Sequence, residues 1–453
     1  MNRHSGNIIE TKIKDLAYDG KAIGEIDGKI IFLNAGLPGE VVSARIIKSK
    51  ANYATGKVIE ILEKCDERIK PKCAHFEICG GCTWQDLDYE RQLYYKRKQI
   101  DDCLKHIAKF ETVDLADIIP APSQFRYRNK MEFSFNTDPE EDFVLGLHRR
   151  GRFNEIFNLN QCYITSETVP KIVCWFREFV KKNGMTAYDV TEHTGFLRFL
   201  MIREAQNTNQ IMLNIVTVDG EILNIEALLE DIKKLFPEVV TVVQNINNKK
   251  SNISKGEKEI IHFGEGFIEE QILNCRFRIY ANSFFQTNSL QTENLYQTAF
   301  ELLQPNQNDR LLDLYCGAGT IGLTASKMVE EVVGLEFEPT AVEAARENAK
   351  LNDINNSTFY TGLAQELLRK NPEILDGINS IITDPPRAGM HKKALKALIE
   401  HNNKRLVYIS CNPSTFARDA QILVNSGYSL GKVIPVDMFP HTMHIELVSV
   451  FER

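Results

Sequence analysis

The chain lacks the features that would commit it to a membrane or to the cell exterior. It has no run of about 18 uncharged apolar residues, so no membrane span is expected. Met1 to Gly6 are polar and offer no apolar signal core, so a cytoplasmic rather than a secreted protein is expected. A basic excess is also missing. The chain carries 54 Lys and Arg against 61 Asp and Glu, a formal charge of −7. That balance argues against a surface that binds nucleic acid everywhere, but it leaves room for local basic patches, because net charge averages over all faces. No internal repeat or long low-complexity segment occurs in its 453 residues, a length suited to two or three domains. Cysteine is well represented, with ten residues. In a chain without a secretory signal, these point to metal binding or catalysis before disulfides.

Residues 7–61 alternate apolar and polar positions in short runs such as Ile8-Ile9-Glu10-Thr11-Lys12-Ile13 and Lys29-Ile30-Ile31-Phe32-Leu33. Asp27-Gly28 and Pro38-Gly39 supply turns, and the pattern predicts a small antiparallel barrel of about five strands. Its many lysines suit single-stranded nucleic acid, although a solvated barrel surface would read the same way.

Cys73-Ala74-His75-Phe76-Glu77-Ile78-Cys79-Gly80-Gly81-Cys82 brings three thiols together at a Gly-Gly turn, and Cys162 is the best candidate for a fourth ligand. Four thiolates suit zinc or an iron–sulfur cluster, and spacing alone does not separate them. Cys65 is a possible substitute, whereas Cys103, Cys174 and Cys275 have no partners by spacing. Residues 86–108 read as one amphipathic helix. A mixed α and β region follows to about residue 280. Within it, Phe125 to Lys130 and Leu147 to Phe153 interleave basic and aromatic side chains that could hold phosphates and stack bases, and 245–251 reads as a polar loop.

From Asp309 onward strands and helices alternate, with strand-like runs at 311–315, 332–337, 358–361, 380–383, 406–410, 430–436 and 445–451. The spacing predicts a doubly wound α/β sheet. Gly317-Ala318-Gly319-Thr320-Ile321-Gly322 follows the first of these strands and opens a helix, and Glu336 ends the second. Those features fit a dinucleotide or an adenosyl methyl donor equally well. Asp384-Pro385-Pro386-Arg387 favours the methyl donor. It builds a stiff loop at the carboxyl end of the sheet, where ligands bind.

Cys411, in Ser410-Cys411-Asn412-Pro413, follows the apolar run of the next strand. A buried packing cysteine is the ordinary outcome for this residue type. The Asn-Pro break instead sets the thiol at the crevice edge as a candidate nucleophile. Carbon 5 of a pyrimidine is a poor nucleophile, and thiolate addition at carbon 6 turns the ring into an enolate that can accept a methyl group. The methylated adduct must then lose its carbon 5 proton to a base. Glu446, where the last apolar strand begins, is the candidate. His441, His444 and Glu446 could also be read as metal ligands, but no further ligand group lies near them in sequence.

Together these motifs resemble the RNA uracil-5-methyltransferases, which form 5-methyluridine in ribosomal or transfer RNA. The resemblance spans nearly the whole chain. It includes the barrel, the cysteine knuckle, Ser283-Phe284-Phe285-Gln286-Thr287-Asn288, the Asp313 to Gly319 turn, Asp384 to Gly389, Ser410 to Pro413 and His444-Ile445-Glu446. It implies an OB-like TRAM barrel at 1–62 and a central RNA-binding α+β domain with an iron–sulfur knuckle at 63–275. It also implies a Rossmann-like methyltransferase domain at 276–453. It implies Cys411 as nucleophile and Glu446 as base, with Gln286, Tyr315, Glu336 and Asp384 around S-adenosylmethionine and Phe284 stacked on a flipped uracil. Cys73, Cys79, Cys82 and Cys162 would hold a [4Fe–4S] cluster, a choice over zinc that rests on the resemblance. The barrel and four thiols together favour 23S ribosomal RNA as the partner, with transfer RNA as the alternative, and a monomer is expected. A non-catalytic RNA-binding protein would keep the barrel but need neither Cys411 nor the Asp384 loop. A radical enzyme would carry C-x3-C-x2-C, where this chain spaces its thiols five residues and then two. An adenine amino-methyltransferase would place an aromatic where Arg387 stands.

Overall fold

A computed structural model describes residues 6–17, 20–138, 142–401 and 403–453. Most of the polar N-terminal stretch lies outside the described residues. The N-terminal sheet has six strands, one more than the alternation predicts. The extra strand, Asp15–Leu16, is only two residues long and too short to leave a periodic signal. The sheet closes on itself where Thr11 Oγ1 donates to Glu25 O at 2.9 Å and accepts from Glu25 N at 3.1 Å. Its core of Ile13, Ile31, Leu33, Val42, Ala44 and Ile46 is completed by Trp84, Leu87 and Tyr95, which lie beyond the knuckle.

The central domain is a seven-stranded mixed sheet with the helices Thr168–Lys182 and Ile225–Leu235. The expected polar loop at 245–251 is corrected at its start. Asn245 and Ile246 end the strand Val239–Ile246, opposite Glu259 and Lys258. Asn245 is fully buried, and its side chain is satisfied by Asn282 at 3.0 Å, so its polarity did not signal exposure. The hairpin of Phe267–Ile272 and Cys275–Tyr280 straddles the expected boundary at 275. Ile268, Ile272, Phe277 and Ile279 pack in one core with Leu295, Tyr296 and Leu311 on one side and with Ala205, Met212 and Val243 of the central sheet on the other.

The C-terminal sheet has seven strands. Arg310–Leu314, Glu331–Glu336, Ser357–Thr361, Ile378–Thr383 and Arg405–Ser410 run parallel. The near-continuous apolar runs of Arg310–Leu314 and Arg405–Ser410 reflect burial on both faces, whereas the edge strand Ser357–Thr361 buries only Phe359. The final strand, Glu446–Glu452, inserts antiparallel between Arg405–Ser410 and Ser429–Val436. This insertion reverses the chain and brings the start of the last strand to the carboxyl ends of the others.

The long helix, α1 (Tyr89–His106), packs Ile100, Cys103 and Leu104 against Phe416 and Ala420 of the helix Pro413–Asn425. It also buries a charge. Lys96 and Asp437 are both fully buried and 2.6 Å apart, and Tyr89 Oη donates to the other Asp437 oxygen at 2.8 Å. Removing one partner strands the other. Lys96→Met is expected to cost about 3–5 kcal/mol of stability, read as a clear drop in melting temperature. An unchanged melting temperature would mean that the pair is not held in water-free surroundings.

Candidate active site

The first C-terminal strand ends in a strained turn. Tyr315 has φ +68°, a left-handed conformation that a non-glycine residue adopts at a cost and that clusters at functional sites. The turn is pinned where Tyr315 N and Cys316 N both donate to Leu335 O, at 2.9 and 3.1 Å. At Gly317 an added Cβ would meet nothing within 4 Å, so the backbone borders open space there and a ligand can approach it. At Gly322 an added Cβ would come within 2.7 Å of Val332 and 2.9 Å of Asp313, so that glycine serves close helix–strand packing. Glu336 locks the turn. Its Oε2 accepts from Gly317 N at 3.1 Å, and its Oε1 accepts from Phe337 N and Glu338 N at 2.7 and 2.9 Å. Asp313 is fully buried and accepts from Gly322 N at 2.8 Å. Burial pushes its carboxyl up to about 7. Cys316 is buried under the turn against Gly334 and is a packing residue.

The adjacent strand ends carry Asp384, Cys411 and Glu446. Asp384 follows the strand Ile378–Thr383 and accepts from Gln286 Nε2 at 3.1 Å. Gln286 is held in turn by Asn129, whose Nδ2 donates to Gln286 O at 3.0 Å and to Ser289 Oγ at 2.9 Å. The sequence hid Asn129 inside a segment read for its charges. Cys411 follows the strand Arg405–Ser410, and Asn412 caps the next helix by accepting from Ser414 N at 3.0 Å. Ser410 faces Leu447 across the antiparallel pair, and one step further along each strand come Cys411 and Glu446. Cross-strand neighbours of this kind bring side chains together. Thus register alone joins the two residues proposed for attack and proton removal.

Electrostatics bind the group into one unit. Burial, then the charges of Glu446 and Asp384, push the Cys411 thiol up to about 12, while Arg387 opposes them. Glu446 is 4% exposed, and burial with the neighbouring Asp384 holds its carboxyl well above the usual range. Burial pushes Asp384 up to about 7, against the Gln286 hydrogen bond. His444 is driven down to about 4 by burial and by Arg387. Arg387 lowers the pKa of both Cys411 and Glu446, a role its sequence position did not reveal.

Removing that cation leaves the thiol higher still. Arg387→Leu is therefore expected to move the acidic limb of the pH–rate profile upward, with roughly a tenfold loss at neutral pH per unit moved. A raised KM with an unmoved limb would assign Arg387 to RNA contact alone.

Phe284 is 69% exposed, beside buried Phe285. Cys73, Cys79, Cys82 and Cys162 line one cavity of about 30 Å³ together with Phe76, Leu147 and Leu159. Burial, then the nearby thiols, push Cys82 up to about 12. Among the described residues, no group of three His, Cys, Asp or Glu side chains is placed to hold a metal ion, neither the four thiols nor His441, His444 and Glu446. Cys65 packs against the barrel core and does not line the thiol cavity.

Two cations expected to face RNA turn inward instead. Arg150 donates to the carbonyls of Phe76, Cys79 and Cys82, and Arg126 to those of Cys162 and Thr165 at 2.9 Å each. Loop carbonyls around the thiols need donors, and these guanidiniums supply them. Arg149 and Arg152 pair with Glu155.

Residues 88–453 match the family described as tRNA (Uracil-5-)-methyltransferase, and residues 3–59 match the TRAM domain. The chain belongs to this uracil-5-methyltransferase family. A protein named an uncharacterized RNA methyltransferase from Chlorobaculum tepidum is 37% identical over 99% of this chain and 97% of its own length. One of the same description from Caldanaerobacter subterraneus is 35% identical over 99% of each chain. Among solved structures, the Pyrococcus abyssi tRNA (uracil-54, C5)-methyltransferase in complex with S-adenosyl-L-homocysteine superposes with a TM-score of 0.79. It is 30% identical, covering 98% of this chain and 99% of that one. No helix among the described residues is long and apolar enough to cross a membrane.

Proposed function

We propose that this protein transfers a methyl group from S-adenosylmethionine to carbon 5 of a uridine in RNA. The observation that carries this reading is the register that makes Cys411 and Glu446 neighbours beside the Gln286–Asp384 pair. The Cys411 thiolate adds to carbon 6, and the electron pair moves to carbon 5. Carbon 5 attacks the donor's methyl carbon, and S-adenosylhomocysteine leaves neutral. Glu446 takes the carbon 5 proton, the S–C6 bond breaks, and the C5=C6 double bond and the thiolate are restored. A carboxylate of raised basicity suits that proton removal. The positive sulfonium of the donor, together with Arg387, favours the charged forms of Cys411 and Glu446.

The open Gly317 backbone, Glu336, Tyr315, Gln286 and Asp384 form the donor side of the crevice in this reading. Exposed Phe284 would stack on the extruded uracil. In this reading the four thiols around one cavity would hold a [4Fe–4S] cluster, a choice that rests on the family resemblance. Such a cluster would tie Cys162 to the knuckle and take no part in methyl transfer.

The RNA is 23S ribosomal RNA in this reading, on the combination of barrel and four thiols. Transfer RNA is the second reading, favoured by an archaeal transfer-RNA enzyme that matches 98% of this chain. Mass-spectrometric mapping of 5-methyluridine in both RNAs from cells lacking the protein separates the two. Loss at a ribosomal uridine, restored by wild type but not by Cys411→Ala, supports the first. Loss in transfer RNA supports the second. If unmodified RNA also stays unmethylated with purified protein, the enzymatic reading fails.

A further inference from the structure

The strap 437–445 leads into Glu446, and its first half, Asp437 to His441, is held largely from outside the C-terminal sheet. Asn288 Nδ2 donates to Met438 O at 3.0 Å and Lys96 Nζ to Phe439 O at 3.0 Å. Tyr127 Oη donates to Pro440 O at 2.9 Å. Thr83 N and Trp84 N both donate to His441 O, at 2.9 and 3.0 Å. Gln92 clamps the same residue twice. Its Oε1 accepts from His441 N at 2.8 Å, and its Nε2 lies 3.2 Å from His441 Nδ1. His441 itself has φ +65°, a conformation kept only where the surroundings enforce it.

Thr83 and Trp84 directly follow Cys82. The knuckle is braced by Gln85, whose Oε1 accepts from Cys73 N at 2.6 Å and whose Nε2 donates to Cys82 Sγ at 3.8 Å. A path therefore runs from the thiol cavity along Cys82, Thr83 and Trp84, across two hydrogen bonds to His441, and along the strap to the base.

We propose that the cysteine knuckle, with Gln92 of α1, is a positioning element for Glu446: it sets the strap so that the carboxylate meets carbon 5 of the methylated adduct. This rests on the covalent mechanism proposed above. Among the described residues no hydrogen bond links the knuckle to the crevice turn or to Cys411, so its disturbance should spare thiol attack and methyl transfer and slow only proton removal. A shift of about 1 Å at a reacting group can cost on the order of a hundredfold.

The test follows full-length protein with labelled RNA and S-adenosylmethionine, separating the covalent protein–RNA adduct under denaturing conditions. For Gln92→Met the expected result is turnover down about a hundredfold with adduct accumulating, while adduct formation rate and S-adenosylhomocysteine affinity match wild type. Gln85→Leu, which removes the brace between Cys73 and Cys82, should behave alike. Tyr127→Phe, which removes the hydroxyl that donates to Pro440 O, provides a milder variant if either fails to fold, and should accumulate less adduct. Slow turnover without accumulation, or loss of adduct formation in step with turnover, would overturn the proposal. If wild type forms no adduct while Cys411→Ala still methylates, the covalent mechanism itself has failed, and the two failures are thereby distinguished.

Discussion

Cys411→Ala is expected to abolish methyl transfer, with a loss on the order of 10⁴ or more in turnover. The size follows from the chemistry. Without addition at carbon 6 the uracil ring offers no carbanion at carbon 5, and nothing else in the crevice supplies one. The substitution should leave donor binding intact, since the turn at Gly317 and the Glu336 carboxylate are built from other strands. Stability should change little, because Cys411 is only half-buried and lies past the end of its strand. The assay is single-turnover transfer of labelled methyl to RNA, paired with calorimetric S-adenosylhomocysteine binding. Residual transfer within tenfold of wild type would remove the thiol from the mechanism.

Glu446→Gln is expected to separate the chemical steps. Attack and methyl transfer precede proton removal, so the variant should complete one transfer and then hold RNA covalently. Positioned general bases contribute roughly 10²–10⁴ to such steps, and turnover should fall by that factor. Glutamine keeps the volume and removes a carboxyl whose charged form is disfavoured by burial beside Asp384. The Cys411 thiol therefore loses a repelling neighbour, and adduct formation should be no slower than in wild type. Release of methylated RNA at the wild-type rate would sink the assignment of Glu446 as base.

The alternating C-terminal strands were legible because burial on both faces leaves long apolar runs. The run at 406–410 became Arg405–Ser410, and that at 445–451 became Glu446–Glu452. The antiparallel insertion of the last strand was not legible, since pairing between distant segments leaves no local mark. Yet that insertion alone makes Cys411 and Glu446 neighbours. Side chains were misjudged where polarity serves the interior. Asn129, Asn245, Arg126 and Arg150 satisfy buried amides or loop carbonyls, a demand that appears only once the chain is folded. Arg387 was read as a family discriminator, whereas its charge acts on both Cys411 and Glu446.

The central claim, covalent attack by Cys411 on a uridine, is tested most directly with RNA transcribed with 5-fluorouridine. Fluorine cannot leave as a cation, so an adduct methylated at carbon 5 cannot resolve. Incubation with S-adenosylmethionine followed by peptide mass spectrometry should find the nucleotide on the peptide that contains Cys411, and on no other cysteine. Methylation of ordinary RNA by the same preparation without any such adduct, or an adduct on a different thiol, would contradict the account.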